Sequence, residues 1–270
     1  MGNIKETFMA LRNEGEKPFI PFLMAGDPTL DLTKKIVLEA EKQGADIVEL
    51  GIPYATPLAD GPTVQQAGQR SLKHDTNLED IFQLVAQIRE DSQIPIVLMG
   101  YYNSIFNYGL KEFVAKCETV GVDGVIIPDL PLGEGQELRK YSTDLDIILL
   151  VAPTSNRKRI KQAANASQGF IYAVSTLGTT GTRTEISNQV EEVVSQVKEL
   201  TTTPVAVGFG IAKQEHVREI AKFADGIIVG SAIIKQIEAN LNLLPEKENN
   251  LINKVGHFIA QLKEPLISNE

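Results

Sequence analysis

The feature that most constrains this chain is a repeat. Eight short apolar runs, at residues 19–25, 47–52, 94–99, 124–127, 147–152, 170–174, 204–208 and 226–229, are each followed by an amphipathic stretch. Each run is four to seven residues long and rich in Ile, Val or Phe. Runs with no polar alternation are the mark of strands buried on both faces, which belong to parallel sheets covered by helices. The stretches between them carry apolar residues at helical spacing; 78–89 does so with Leu78, Ile81, Phe82, Val85 and Ile88. Similar patterns lie at 32–43, 111–119, 134–141, 157–166, 190–200, 214–223 and 232–241.

Eight strand–helix units in about 250 residues predict an α/β chain folded as a (β/α)8 TIM barrel. The competing architecture, a doubly wound open sheet, usually announces itself with G-x-G-x-x-G after its first strand. Here that strand runs into Ala25-Gly26-Asp27-Pro28 instead. An extra N-terminal helix is expected at 4–11, covering the barrel bottom, and an extra C-terminal helix at 249–262. No tract reads as a linker, so residues 1–270 are expected to form a single domain.

Composition bounds the partners. With 26 Lys and Arg against 35 Asp and Glu, the net charge is −9. That argues against a basic nucleic-acid footprint and against a polybasic membrane patch. No apolar run approaches the roughly 18 residues of a membrane span, and the N-terminal stretch has no signal-peptide core. The one cysteine, Cys117, cannot close an internal disulfide, so a cytoplasmic protein is expected. The three histidines, His74, His216 and His257, are scattered, which argues against a histidine-built metal site.

Functional side chains of such a barrel sit at strand C-termini and in the loops beyond them. Glu49 stands out, a lone carboxylate in Ile47-Val48-Glu49-Leu50-Gly51-Ile52. Alternation puts it on the face of Ile47 and Gly51; if that face is the lumen, burial raises its pKa and suits it to proton transfer. A buried, hydrogen-bonded structural Glu is the other reading. Asp60 lies eleven residues on, in Leu58-Ala59-Asp60-Gly61-Pro62. Taken alone this is turn chemistry before a helix; taken with Glu49, it brings a second carboxylate over the barrel mouth.

Glycines gather where strands six, seven and eight end, at Gly178-Thr179-Thr180-Gly181, Gly208-Phe209-Gly210 and Gly230-Ser231. Backbone N–H groups in glycine turns and a helix N-terminus form a phosphate cradle in barrels of this kind. No lysine lies within any apolar run, so no Schiff-base lysine is in place. Cys117, mid-helix, reads as structural. Carboxylate acid–base chemistry on a phosphorylated substrate, with no cofactor, remains.

Several segments resemble the tryptophan synthase alpha chain family: Glu49-Leu50-Gly51-Ile52-Pro53 with Pro57-Leu58-Ala59-Asp60-Gly61-Pro62, Gly26-Asp27-Pro28, Tyr101-Tyr102-Asn103, Ile127-Pro128-Asp129-Leu130-Pro131 and Gly208-Phe209-Gly210. The likeness runs in order from about residue 5 to 262. It implies retro-aldol cleavage of indole-3-glycerol phosphate to indole and glyceraldehyde 3-phosphate. Glu49 is implied as the general acid–base, and Asp60 as the partner of the indole N–H. Phe22 and Tyr101 are implied in the indole pocket. Tyr172 is implied near the carboxylates, or is a core aromatic. Thr180, Gly181, Gly210, Gly230 and Ser231 are implied at the substrate phosphate, with residues 177–187 as a lid. The family also implies a pyridoxal-phosphate beta chain as partner, in an α2β2 assembly.

One segment departs from the family pattern. Where relatives read Ser-Asp, this chain has Ala55-Thr56, between Tyr54 and Pro57. The missing aspartate belongs to the loop facing the beta chain, so weaker activation by that partner is expected. A free-standing indole-glycerol-phosphate lyase, another phosphosugar barrel and an inactive partner subunit are the competing readings.

Overall fold

The computed structural model describes residues 4–130, 135–142, 144–174, 183–208 and 210–267. Eight parallel strands close into a barrel in chain order. They are β1 Phe19–Met24, β2 Val48–Gly51, β3 Ile96–Met99, β4 Gly124–Ile126, β5 Asp146–Val151, β6 Ile171–Val174, β7 Val205–Gly208 and β8 Gly226–Val229. Each overlaps one of the apolar runs, and β8 pairs back onto β1 with Val229 beside Pro21, so no strand edge is left open. The TIM barrel read from the repeat is the fold.

The helices are α1 Ile4–Asn13, α2 Leu30–Lys42, α3 Pro62–Leu72, α4 Leu78–Arg89, α5 Tyr102–Tyr108, α6 Leu110–Val120, α7 Gly135–Arg139, α8 Arg157–Ala166, α9 Arg183–Lys198, α10 Gln214–Ala221, α11 Ser231–Glu238 and α12 Glu248–Lys263. The extra terminal helices are α1 and α12. Two more lie in loops at the catalytic rim. The helix anticipated after the Asp-Gly-Pro turn is α3, with Pro62 at its first position. The short α5 was not anticipated; Gly109, at φ +100°, ends it and turns the chain directly into α6. Side-chain caps fix other starts. Asn77 and Asp80 form a capping box on α4, an arrangement that contributes about 1 kcal/mol.

Strand alternation sorts the core into two layers. Val48 and Leu50 join the outer layer, which packs under the helices. Ile20, Ile47, Val97 and Phe170 fill the lumen together with Ile4 and Phe8 of α1, so α1 does close the bottom of the barrel. Glycines make that plug possible: a Cβ at Gly124 would stand 3.0 Å from Ile4 Cδ1, and one at Gly226 3.0 Å from Phe8 Cε1.

Candidate active site

Glu49 shares the lumen face with Ile47, and its register partners are Phe22 on β1 and Val97 on β3. The Phe22 ring lies against the strand because position 51 is glycine; a Cβ there would be 2.6 Å from Phe22 Cζ. Glu49 is 1% exposed, and neither carboxylate oxygen has a hydrogen-bond partner. A charge in that setting is strongly disfavoured. Burial first, and the charge of Asp60 second, push its pKa up to about 8. The hydrogen-bonded structural Glu is therefore not what the fold holds. Glu49 is a buried, unpartnered carboxyl facing a cavity.

Asp60 sits in the loop between β2 and α3. The Tyr101 hydroxyl accepts a hydrogen bond from the Ala59 N–H at 2.8 Å and bonds the Asp60 carboxylate. Burial pushes the Asp60 pKa up and the Tyr101 bond pulls it back. Burial raises the Tyr101 phenol to about 12, so it remains a donor at physiological pH. Tyr54 stacks on Tyr101 with ring centroids 5.0 Å apart. The far end of the loop is anchored through α3. Arg70 makes a bidentate pair with buried Asp27 at 2.6 and 2.8 Å and reaches Glu238 of α11 at 3.2 Å. Removing one partner of such a pair costs about 3 kcal/mol or more, because a buried charge is stranded.

Tyr172, on β6, projects into the lumen across Gly208; burial and the nearby charges of Glu49 and Asp60 keep its phenol protonated. On the β7–β8 side, Gly210 has φ +41° and open space where a Cβ would be. The N–H groups of Ser231 and Ala232 precede the first bonds of α11, which Ile233 and Ile234 make to the Gly230 carbonyl. Such N–H groups at a helix start suit an anion.

These elements enclose a cavity of about 500 Å³. Of the residues singled out from the sequence, Phe22, Glu49, Asp60, Tyr172, Gly210, Gly230 and Ser231 line it. Tyr101 borders a narrow adjoining cleft with Asp60 and Gly51, and braces the loop rather than walling the main cavity. Thr180 and Gly181 lie outside the described residues, as does most of the segment expected as a lid. Sequence reasoning missed the apolar wall of Met99, Leu150 and Ile228, whose lumen positions follow from strand alternation, and Lys235 on α11. Gly208, grouped with the phosphate glycines, lines the cavity and also leaves the space that Tyr172 fills, which the sequence did not signal.

Cys117 is buried with its thiol pKa raised, consistent with a structural role. Among the described residues, no cluster of three or more His, Cys, Asp and Glu is placed to hold a metal ion, and no helix is long and apolar enough to cross a membrane.

The model of the family described as tryptophan synthase alpha chain matches residues 8–264. The tryptophan synthase alpha chain of Alkaliphilus metalliredigens is 44% identical over 266 residues, 98% of each chain. That of Thermoanaerobacter pseudethanolicus is 44% identical over 98% of this chain and all of its own. Among solved structures, the alpha subunit from Legionella pneumophila superposes with a TM-score of 0.88 at 32% identity, covering 98% of both chains. A chain of the tryptophan synthase α2β2 complex of Pyrococcus furiosus gives 0.82 at 34% identity, covering 92% of this chain and 98% of that one. With the family model spanning nearly the whole chain and these relatives matching end to end, this chain belongs to the tryptophan synthase alpha chain family.

Proposed function

We propose that this chain is the alpha subunit of a tryptophan synthase and cleaves indole-3-glycerol phosphate to indole and glyceraldehyde 3-phosphate, with Glu49 and Asp60 as its catalytic residues. The observation that carries the assignment is Glu49, a buried carboxylate with two unpartnered oxygens and a pKa near 8, facing a cavity shared with Asp60.

At neutral pH Glu49 is mostly protonated and delivers its proton to indole C3, which gives an indoleninium ion. The ionised Glu49 then takes the proton of the glycerol hydroxyl next to the ring. As the aldehyde C=O forms, the carbon–carbon bond breaks and its electron pair returns to the ring through the C=N bond, regenerating indole. The proton count on Glu49 is restored, and neither lysine nor metal is required. Asp60 accepts the indole N–H and stabilises the positive charge that develops there; its bond to Tyr101 favours the ionised form it needs. Phe22 and the apolar wall hold the indole, and Gly210, Gly230 and Ser231, with Thr180 and Gly181, take the phosphate.

The expected partner is a tryptophan synthase beta chain. Leu58, 95% exposed on the Asp60 loop, and Phe106, 59% exposed on α5, support a docking face at this rim. The Asn103 side chain bonds the Tyr54 hydroxyl at 3.3 Å and joins the two segments. A cytoplasmic location fits the single free, buried cysteine. The test is indole release from indole-3-glycerol phosphate, alone and with a beta chain. Slow release that rises on adding the partner supports the proposal; no release under either condition overturns it.

A further inference from the structure

The net charge of this protein is −9, and its cavity presents Glu49 and Asp60 to a substrate that itself carries a phosphate dianion. Backbone N–H groups alone must then hold the phosphate against the Asp60 carboxylate and a net negative protein, unless a cation is at hand. One is. Lys235 is the single basic side chain among the described residues that line the cavity. It stands on α11 four residues after Ser231, so the two share one face of the helix whose first turn faces the anion position. The acid nearest to it along α11 is Glu238, one turn further on, whose carboxylate is engaged by Arg70 at 3.2 Å. Among the described residues the Lys235 ammonium makes no ion pair or hydrogen bond, and its exposed side chain stands at the cavity wall. An uncommitted ammonium beside open helix N–H groups is arranged for an anion that arrives from outside.

We propose that Lys235 is the cationic arm of the phosphate subsite, and that it selects phosphorylated over unphosphorylated indole-glycerol substrates. This rests on the assignment of the cavity made above. The ammonium adds charge to a cradle otherwise made of neutral backbone groups, and its flexible stem lets it follow the phosphate inward. Because it stands on α11 with Ser231, and not on β2 or the loop that carries Asp60, it acts on binding of the phosphate end and not on proton transfer.

The test uses the full chain and two separate probes, glycerol 3-phosphate and indole, titrated calorimetrically into wild type, Lys235→Met and Lys235→Arg. The methionine variant is expected to bind glycerol 3-phosphate about fivefold more weakly and indole unchanged, with the arginine variant close to wild type. The wild-type affinity for glycerol 3-phosphate is also expected to fall with added salt more steeply than that of the methionine variant. If wild type binds glycerol 3-phosphate and the methionine variant binds it equally well, the role of Lys235 is overturned while the cavity assignment stands. If wild type binds indole but no glycerol 3-phosphate, the phosphate subsite itself is wrong and both fall. Equal losses for both probes would mark Lys235 as merely structural and overturn the proposal.

Discussion

A Cβ placed on Gly208 would stand 2.5 Å from the hydroxyl oxygen of Tyr172 and 2.6 Å from its Cε2. The two residues are on neighbouring strands, β6 and β7, and the absent side chain of one is the space occupied by the other. Gly208→Ala therefore forces the phenol out of the cavity or the strands apart. The variant is expected to lose about 1–3 kcal/mol of stability, as overpacked cores do. Because Tyr172 lines the cavity, kcat/KM is also expected to fall by about tenfold beyond any loss of folded protein. Urea unfolding alongside steady-state indole release separates the two effects.

Tyr101→Phe removes the hydroxyl that accepts from Ala59 and bonds Asp60. Because that bond lowers the Asp60 pKa, its loss raises it, and the acid limb of the kcat/KM profile is expected to move to higher pH. The alkaline limb, set by Glu49, should stay in place. A pH–rate profile of the variant reads both limbs at once.

Glu49 also makes the stability of the fold depend on pH. Its folded pKa, about 8, lies above the ordinary 4.5, so between those values the folded chain holds a proton that the unfolded chain has lost. Stability from this group is full below pH 4.5 and declines as pH rises towards 8, by up to about 1.4 kcal/mol for each unit crossed. Glu49→Gln does not titrate, so it should gain on wild type as pH rises. Thermal unfolding of both proteins at pH 5.5 and pH 9 checks this; a constant difference would contradict it.

The Ala55-Thr56 departure predicts weak stimulation by a beta chain. Changing Ala55→Ser together with Thr56→Asp is expected to raise the stimulation of indole release severalfold and to leave the unpartnered rate alone. An unaltered stimulation ratio would remove any role for the departure.

Much of this fold was legible because a closed parallel barrel buries its strands on both faces, so β1 to β8 read as apolar runs. Glu49 was legible for the same reason: a carboxylate within such a run has few destinations other than the lumen. What the sequence concealed depends on contacts between distant positions. The part played by Tyr101 is set by Ala59, forty-two residues away, and that of Arg70 by Asp27, forty-three away. That Tyr172 fills the space left at Gly208 was hidden too, because a glycine at a strand end looks the same whatever side chain a neighbouring strand brings against it. The helix α5 was hidden by its composition, Tyr-Asn-Ser-Ile-Phe-Asn-Tyr, which is poor in strong helix formers and is held by packing against α6. Lys235 carries no local signal at all beyond its spacing from Ser231.

Proton transfer by the Glu49 carboxyl is tested by indole release from the Glu49→Gln variant. The amide keeps the shape of the side chain and removes the proton. Release is expected to fall by about a thousandfold, with binding of glycerol 3-phosphate retained. Release within tenfold of wild type, in a folded variant that binds the same ligand, would contradict the account.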